Sequence, residues 1–338
     1  MDATDARICI LPKKLGLGGP ASFQAGLITS FQAAGVMVTH DPREQCLSAI
    51  LVFGAGAEIT TLRAAQSAGV RVVQRLNGMN WVHRRKFIGV RHFLKAEFGN
   101  FKLRAVRQLA DRVIYQSQFA RAWWEREHGV LEKHQVVIHN GVDLNLFSPQ
   151  PDERPADRYR VLMVEAHHGG GYDQGLRSGI ALAERLNESL DQPVELVVAG
   201  EVPSALRRVY NHTWITWLGV VDHAQIPAIN RSAHLFFSGD INAACPNAVL
   251  EALACGLPVV AYDTGSMSEL ITKRVGRLAP YGGDVWKLEQ PDGNGLATAA
   301  REILTSRDDF RQAARDQAEA CFDIRDVAER YLKILLSD

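Results

Sequence analysis

The sequence predicts an α/β protein of two domains, each with a doubly wound, Rossmann-like parallel sheet, and with a cleft between them. Ten short apolar runs recur along the 338 residues, and most are continuous rather than alternating. Strands that are buried on both faces of a parallel sheet have this pattern. Helix-like segments such as residues 61–69 and 176–190 lie between many of the runs. Strands that alternate with helices in this way form βαβ units.

The predicted strands form two series, separated by the proline-rich, charged residues 148–158. The first series is residues 7–11, 48–54, 70–76, 111–117 and 134–141, and the second is residues 159–165, 194–200, 215–219, 233–239 and 257–263. We interpret residues 148–158 as an interdomain linker. The chain ends in a long helical pattern over residues 307–336.

The composition is that of an ordinary soluble globular protein, with 46% hydrophobic residues and 38 basic against 38 acidic side chains. The zero net charge argues against nucleic-acid binding through bulk charge. Five scattered cysteines without a C-x-x-C pair indicate neither a disulfide framework nor a zinc site. The N-terminus lacks the apolar core of a signal peptide, and no run approaches the roughly 18 apolar residues of a membrane span. We therefore expect a cytoplasmic protein.

A glycine-rich loop follows the first predicted strand, with Gly16, Gly18 and Gly19 ahead of a helix. Glycines let a backbone approach a ligand closely, and a helix N-terminus presents N–H groups to an anion. The spacing matches neither the G-x-G-x-x-G fingerprint nor a P-loop. The loop is therefore either a phosphate-contacting element or a turn between strand and helix.

Residues 81–107 are rich in basic and aromatic side chains. Lys and Arg occupy positions 84, 85, 86, 91, 95, 102, 104 and 107, and five Phe and Trp side chains are interleaved with a single acid, Glu97. Such a segment suits an anionic acceptor, a membrane surface or a diphosphate. The alternative is an amphipathic helix with a solvated basic face. Nucleic acid is disfavoured because no recognised binding motif accompanies the segment.

Two further turns follow predicted strands. Asn140-Gly141 predicts a tight turn with positive φ. Three successive glycines, Gly169 to Gly171, stand where the first βα turn of a domain can cradle phosphates.

The segment "ACPNAVLEALACGLPVV", residues 244–260, predicts a helix and then a strand. Pro246 suits the first helical turn, and a glycine and a proline end the helix. Glu251 is expected on a face away from the leucines. In the next turn, Ser266 and Glu269 have the spacing of a capping box. The two helix N-termini would then direct positive dipole ends towards one crevice.

Two segments resemble glycosyltransferase family 4, a group of retaining enzymes with the GT-B fold. They are "HNGVDLNLFSP" (139–149) and, about a hundred residues later, "CPNAVLEALACGLPVVAYDTGSMSELI" (245–271). The resemblance extends over nearly the whole chain. It implies an N-terminal acceptor domain of residues 1–150, a C-terminal nucleotide-sugar domain of residues 151–314, and a last helix, about residues 315–338, that crosses back to the N-terminal domain.

The resemblance also implies how the donor is held. Glu251 matches the glutamate that binds the ribose hydroxyls, and the helix start at Pro246, Asn247 and Ala248 faces the diphosphate and sugar. The loop Gly18-Gly19 meets the phosphates. The family uses no metal and no cofactor, since the UDP- or GDP-linked sugar is a substrate; amides, helix dipoles and basic side chains offset the leaving-group charge.

Two departures from the family pattern concern charge. The first glutamate of the E-x7-E motif, which contacts sugar hydroxyls, falls at Ala243, and Asp240 and Asn242 are the nearest substitutes. No basic residue lies between Arg160 and Arg177, where the family places an arginine and a lysine on the diphosphate. Glycine amides, together with arginines of the N-terminal domain, are expected to replace that charge.

A third departure is in the N-terminal domain, where many members carry a histidine after a strand and this chain reads "QRLNG". The candidate catalytic residues are Arg75, Asn77 and Asp240. The candidates on the acceptor side are His83, Arg84 and Arg85. Further candidates for binding the nucleotide-sugar donor are Glu165, Gly169 and Gly170.

These observations favour a retaining hexosyltransferase that moves a sugar from a nucleotide-sugar to an acceptor hydroxyl. One alternative is a weakly active or inactive relative that binds a nucleotide-sugar or a partner protein, and another is a different GT-B enzyme such as an epimerase. The basic, aromatic residues 81–107 suggest a lipid-linked or anionic acceptor. They also suggest peripheral contact with the inner face of a membrane.

Overall fold

The computed structural model describes residues 6–16, 18–151, 153–169, 173–306 and 310–337. The chain divides into two compact units. One is Met1–Gly141 together with Ile324–Asp338, and the other is Val142–Asp323. The first boundary between the units therefore falls between Gly141 and Val142, a few residues ahead of the predicted linker 148–158.

The first unit contains an all-parallel sheet. Its strands are β1 (Arg7–Leu11), β2 (Met37–Thr39), β3 (Ala49–Phe53), β4 (Arg71–Leu76), β5 (Arg112–Tyr115) and β6 (His134–Val137). Its helices are α1 (Gly19–Ala33), α2 (Ile59–Ser67), α3 (Val90–Leu109) and α4 (Gln118–His128), with a 3₁₀ turn at Val82–Arg84. The strand order is β2-β1-β3-β4-β5-β6, so the order reverses between β1 and β3.

The second unit contains another all-parallel sheet. Its strands are β7 (Tyr159–His167), β8 (Val194–Glu201), β9 (Ile215–Gly219), β10 (Leu235–Ser238), β11 (Val259–Tyr262) and β12 (Gly276–Ala279). Its helices are α5 (Asp173–Ser189), α6 (Ser204–Val209), α7 (Ile226–Arg231), α8 (Asn247–Ala254), α9 (Met267–Leu270), α10 (Gly293–Thr305) and α11 (Phe310–Cys321), with 3₁₀ turns at His223–Gln225 and Val285–Lys287. The order β12-β11-β10-β7-β8-β9 reverses between β7 and β10.

All ten predicted strands are present. Continuous apolar runs are buried as expected, and β3 is buried at every residue. The sequence did not indicate β2 and β12, which lie at the edges of the two sheets. Both are short, with three and four residues, and only partly buried, so they carry little apolar pattern.

The C-terminal helical pattern is broken into two helices, α11 and α12 (Ile324–Leu336). Between them, the Val142 N–H donates to the Phe322 carbonyl at 2.8 Å and Asp323 forms an isolated bridge with Val142. This backbone pairing replaces helical hydrogen bonds at residues 322–323. The α12 helix then packs into the core of the first unit, where Tyr331 lies 5.9 Å from the ring of Phe23.

Gly141 does not adopt the predicted positive φ. A Cβ at this position would instead lie 2.7 Å from the Cα of Ile324. A glycine is therefore required because the backbone that leaves β6 touches the start of α12.

Among the described residues, no helix has both the length and the apolar character needed to cross a membrane.

Candidate functional site

The second sheet places two carboxyl groups at the point where its strand order reverses, which is the usual ligand position in open α/β sheets. Glu165 lies near the carboxyl end of β7, and Asp240 lies two residues beyond β10. The β7–β10 register pairs Leu235 with Val161. Continued to the strand ends, it sets residue 239 opposite Glu165. The structure thus brings these two predicted site residues together.

The surroundings of this pair raise the pKa of both carboxyl groups above their ordinary values. Burial, and then the charge of Asp240, raise the pKa of Glu165, and burial raises the pKa of Asp240. The Asp240 side chain keeps access to solvent, whereas Glu165 is half-buried. The surrounding protein therefore excludes enough water to disfavour two adjacent negative charges without enclosing either group completely.

Helix α8 carries the next predicted residues. Pro246 is its N-cap residue, with an extended backbone, and stands one position before the predicted first turn. The helix ends at Ala254, just before Gly256, as predicted. Pro246 and Ala248 are half-buried, while Asn247 and Glu251 are buried together with the leucines. The burial of α8 therefore extends to the face that carries Asn247 and Glu251.

The carboxylate of Glu251 is paired with His223. The His223 Nε2 and Glu251 Oε1 atoms are 2.9 Å apart, and the His223 ring contacts Phe147 at 5.3 Å between centroids. The hydrogen bond to Glu251 raises the pKa of His223. Sequence reasoning missed this histidine. Asp222 and Gln225 form a capping box around it, which is a visible turn signal, but the pairing with Glu251 leaves no sequence pattern.

Two loops meet beside α8. The Ser266 N–H donates to the Ala243 carbonyl at 2.9 Å, and a Cβ on Gly265 would lie 2.6 Å from both the N and the O of Ala243. Ala243 itself is buried in the apolar core. The predicted capping box at Ser266 and Glu269 is absent, since the Ser266 side chain makes no capping hydrogen bond.

The glycine turn after β7 is described only in part. Gly169 is buried, and a Cβ there would lie 2.6 Å from the Pro203 Cγ atom, so the backbone packs closely against the start of α6. Gly170 lies outside the described residues. The His168 ring bonds the Ala199 carbonyl at 3.2 Å, and burial lowers its pKa.

Arg75, at the end of β4, is buried inside the first unit. Its guanidinium donates to Asn140 Oδ1 at 2.7 Å and lies 4.6 Å from the ring centroid of Phe23 and 4.9 Å from that of Phe53. This arrangement gives Arg75 a structural role in the core rather than an open cationic surface. Nearby, the Asn77 carbonyl accepts a hydrogen bond from Trp124 Nε1 at 2.7 Å.

Gly18 and Gly19 stand at the start of α1. Gly18 is the N-cap residue with a φ of 104°, and its carbonyl accepts from the Ala21 N–H at 3.0 Å. The loop lies beyond the carboxyl end of β1, next to the point where the first sheet reverses its order. Its position matches that of a ligand-contacting loop.

The acceptor-side candidates join the 3₁₀ turn to α3. His83 is buried with its Nε2 atom 2.9 Å from Glu97 Oε1, and the Arg84 side chain donates to both oxygens of Glu97 at 2.6 and 2.9 Å. The hydrogen bond from Arg84 makes the largest contribution and that from His83 a smaller one, and together they lower the pKa of Glu97 to about 2. Arg85 is exposed. His83 and Arg84 therefore fix the entry into α3.

Within the part of the chain that the structure describes, no three or more His, Cys, Asp or Glu side chains are grouped so that they could hold a metal ion.

Two family models match the chain. The model described as Glycosyltransferase Family 4 matches residues 50–146, in the first unit, and the model described as Glycosyl transferases group 1 matches residues 170–306, in the second unit. The two matched ranges therefore account for segments of both sheets.

Two of the similar curated proteins are named for phosphatidylinositol-based substrates. The chain is 23% identical over 223 residues to the phosphatidylinositol N-acetylglucosaminyltransferase gpi3 subunit of Schizosaccharomyces pombe, covering 62% of this chain and 46% of that protein. It is 28% identical over 218 residues to the GDP-mannose-dependent alpha-(1-6)-phosphatidylinositol dimannoside mannosyltransferase of Mycobacterium tuberculosis, covering 62% and 53%. The chain thus spans about half the length of these relatives.

Solved structures share the fold. Sucrose-phosphate synthase from Thermosynechococcus elongatus superposes with a TM-score of 0.74 at 18% identity, covering 97% of this chain and 98% of that one. Anabaena HepE in complex with UDP and glucose gives a TM-score of 0.67 at 18% identity, covering 98% and 100%. These likenesses confirm the predicted two-sheet α/β architecture.

Proposed function

The chain belongs to glycosyltransferase family 4, and on that premise we propose that it transfers a hexosyl group from a nucleotide-sugar to an acceptor hydroxyl. The proposed reaction retains the anomeric configuration and uses no metal ion. The bond between the sugar C1 atom and the phosphate oxygen breaks, and its electron pair leaves with the nucleoside diphosphate. The acceptor oxygen bonds to C1 on the same face, and its proton passes to the departing phosphate.

Glu251 gives this proposal its main structural support. A carboxylate offers about four lone-pair sites, so Glu251 can accept hydrogen bonds from ribose hydroxyls while it keeps the 2.9 Å bond to His223. The histidine fixes the orientation of the carboxylate before the ligand arrives. Such preorganisation reduces the entropy lost on binding.

The start of α8 suits the diphosphate of the donor. The helix begins at Asn247, and a helix N-terminus favours negative charge through its N–H groups and dipole. This positive end would offset the charge that develops on the leaving phosphate. The N-terminus of α8 has to offset more of this charge because the chain lacks a basic residue between Arg160 and Arg177.

Asp240 and Glu165 are proposed to recognise the sugar. Ala243 is buried in the core and offers no polar group, whereas these two carboxyls lie at the switch point of the second sheet. A protonated carboxyl donates one hydrogen bond and an ionised carboxylate accepts several. The pair can therefore bind sugar hydroxyl groups both as a hydrogen-bond donor and as a hydrogen-bond acceptor.

The acceptor is proposed to be a lipid that contains phosphoinositol. Support comes from the two relatives named for phosphatidylinositol-based substrates. The chain also carries an exposed basic and apolar helix in the unit that would bind the acceptor.

The test is a transfer assay with phosphatidylinositol in mixed micelles and each of UDP-N-acetylglucosamine, UDP-glucose and GDP-mannose. We expect one donor to yield a glycosylated lipid, detected by mass spectrometry, whose anomeric proton in the NMR spectrum has the configuration of the donor. An inverted product would contradict the retaining mechanism, and the absence of both product and donor hydrolysis would contradict the activity.

A second candidate function is nucleotide-sugar binding without turnover. It is favoured by Ala243, which lies where the family has a sugar-binding glutamate and is enclosed by the core. Saturable donor binding with neither transfer nor slow hydrolysis would support this candidate over the first.

A further inference from the structure

Helix α3 has an apolar face that points away from the protein. It spans 20 residues, which corresponds to about 30 Å. Its large apolar side chains Val90, Leu94, Phe98 and Phe101 are 65%, 61%, 58% and 65% exposed. Single exposed apolar residues need no explanation, but a contiguous patch marks an interaction site.

The spacing of these four residues aligns them. Steps of four, four and three residues keep side chains on one side of a helix, so the four form a continuous stripe, which we call the outer stripe. The opposite side of α3 packs inward through Ala96, Asn100, Val106 and Arg107, all of which are buried. The outer stripe is therefore not the core-facing side of this helix.

The segment before α3 also carries exposed apolar side chains. Phe87 and Ile88 precede the helix by a few residues and are also exposed. Exposed apolar side chains are therefore present both just before α3 and along it.

Basic side chains lie along the flanks of the outer stripe. At about 100° per residue, Arg91, Lys95 and Lys102 fall together on one flank, and Arg104 falls on the other. The Lys102 Nζ atom lies 5.2 Å from the ring centroid of Phe98, so this basic residue borders the stripe directly. The single acid of the helix, Glu97, is paired with His83 and Arg84.

This combination distinguishes a lipid surface from a protein partner. Lysine is depleted in protein–protein interfaces, and charged residues are depleted at their cores. Helices that lie in a membrane interface instead combine Phe and Leu on one face with Lys and Arg beside it. The basic flank complements the negative surface of a bilayer that contains anionic lipid.

The helix is held rigidly in place for such contact. Asn100 accepts from the Asn80 N–H at 2.9 Å and donates to the Asn80 carbonyl at 2.8 Å. Further along, Arg107 donates to the Tyr115 hydroxyl at 2.9 Å and to the Gly129 carbonyl at 2.8 Å. Because α3 is already folded, docking needs no ordering of the chain.

We propose that the outer stripe docks on an anionic lipid bilayer with the axis of α3 parallel to the membrane surface. Val90, Leu94, Phe98 and Phe101 enter the boundary between headgroups and acyl chains. The long side chains of Arg91, Lys95 and Lys102 extend to the phosphates. Docking requires neither a bound sugar donor nor catalysis, so it can be tested independently of the proposed activity.

The test is co-sedimentation of the full chain with vesicles of phosphatidylcholine alone or with about 30% phosphatidylserine. Two triple variants separate the contributions: Leu94→Ser/Phe98→Ser/Phe101→Ser removes the apolar stripe, and Arg91→Gln/Lys95→Gln/Lys102→Gln removes the basic flank. The control is Val130→Ser, another change at an exposed apolar residue of the same unit, which is 70% exposed. Circular dichroism and the melting temperature verify that each variant is folded.

We expect the wild type and Val130→Ser to bind vesicles with phosphatidylserine, more weakly as salt rises from about 0.1 to 0.5 M. The serine variant should bind at least about tenfold more weakly, and the glutamine variant should lose the preference for phosphatidylserine. Equal binding to both vesicle types by the wild type, or unchanged binding by a folded serine variant, would overturn the proposal. So would a dimer in solution, seen by light scattering, that the serine substitutions dissociate, since the outer stripe would then be a protein interface.

Discussion

At the scale of single residues, Glu251 shows how burial changes the interpretation of a carboxylate. Helix α8 is buried on nearly every side, and an unpaired carboxylate there would carry a desolvation cost of several kcal/mol. His223 compensates with a hydrogen bond of 2.9 Å. The sequence predicts the helix and the position of Glu251, but not this partner, because the contact depends on how two distant segments pack.

Replacing His223 by glutamine should change the pH dependence of donor binding. The hydrogen bond to Glu251 raises the pKa of His223, so the charged pair is present at low pH and is lost as the pH rises through that pKa. Its contributions to donor affinity and to stability therefore decrease as the pH rises. We expect the donor affinity of the wild type to fall as the pH rises over this range. At low pH, His223→Gln should bind the donor about threefold to tenfold more weakly than the wild type, and its affinity should change little with pH.

Calorimetric titrations from about pH 6 to pH 8.5 measure the donor affinity of the wild type and of His223→Gln. An identical pH profile in the wild type and His223→Gln would show that this pair does not prepare Glu251 for the ligand.

Replacing Asp240 by asparagine should separate sugar recognition from nucleotide binding. Because Asp240 is proposed to contact the hexose, turnover should fall by about tenfold or more, while the affinity for free nucleoside diphosphate stays within about twofold. Asp191→Asn, at another exposed position of the second unit, is the control. Unchanged turnover, or an equal loss of diphosphate affinity, would rule out the assigned role.

At the scale of secondary structure, the success of the prediction follows the strength of each apolar pattern. The central strands are buried on both faces and were found from their continuous runs, and so were the edge strands β6 and β9. Only β2 and β12 were missed, and these two edge strands are short, with three and four residues. The C-terminal pattern predicted one helix and the structure has two. Both halves are amphipathic, and the break at residues 322–323 depends on backbone pairing with Val142, which local sequence does not encode.

The contact between the loops after β10 and β11 can be tested with two alanine substitutions. Gly265 has a φ of 63°, and a Cβ there would lie 2.6 Å from backbone atoms of Ala243, whereas Gly69 has a φ of 83° with nothing within 4 Å of its Cβ position. Gly69→Ala should lower the free energy of unfolding by about 1 kcal/mol through backbone strain alone. Gly265→Ala should lower it by about 3 kcal/mol or more and weaken donor binding as well.

Chemical unfolding followed by tryptophan fluorescence measures the two losses. Equal losses for Gly69→Ala and Gly265→Ala would mean that the loops yield easily and do not shape the site.

At the scale of the whole molecule, the topology of each sheet concentrates its candidate residues. The glycine loop lies at the switch point of the first sheet, and Glu165 and Asp240 lie at that of the second. The sequence predicted the glycine loop from its place after the first strand, whereas Asp240 was named from the family resemblance as the nearest substitute for the glutamate missing at Ala243. It did not predict that Arg75 would be enclosed by Phe23 and Phe53, since an arginine at a strand end looks the same in sequence whether it is buried or open.

In the proposed function, the second unit holds a nucleotide-sugar through Glu251. Isothermal titration of UDP, GDP and their sugars into the wild type and Glu251→Gln tests it most directly, with Glu184→Ala as a control at an exposed glutamate of the same unit. We predict that the wild type and Glu184→Ala bind one nucleotide series with equal affinity and that Glu251→Gln binds it about tenfold or more weakly. A folded wild type that binds neither series, or equal affinity in Glu251→Gln, would show that Glu251 does not hold a nucleotide-sugar.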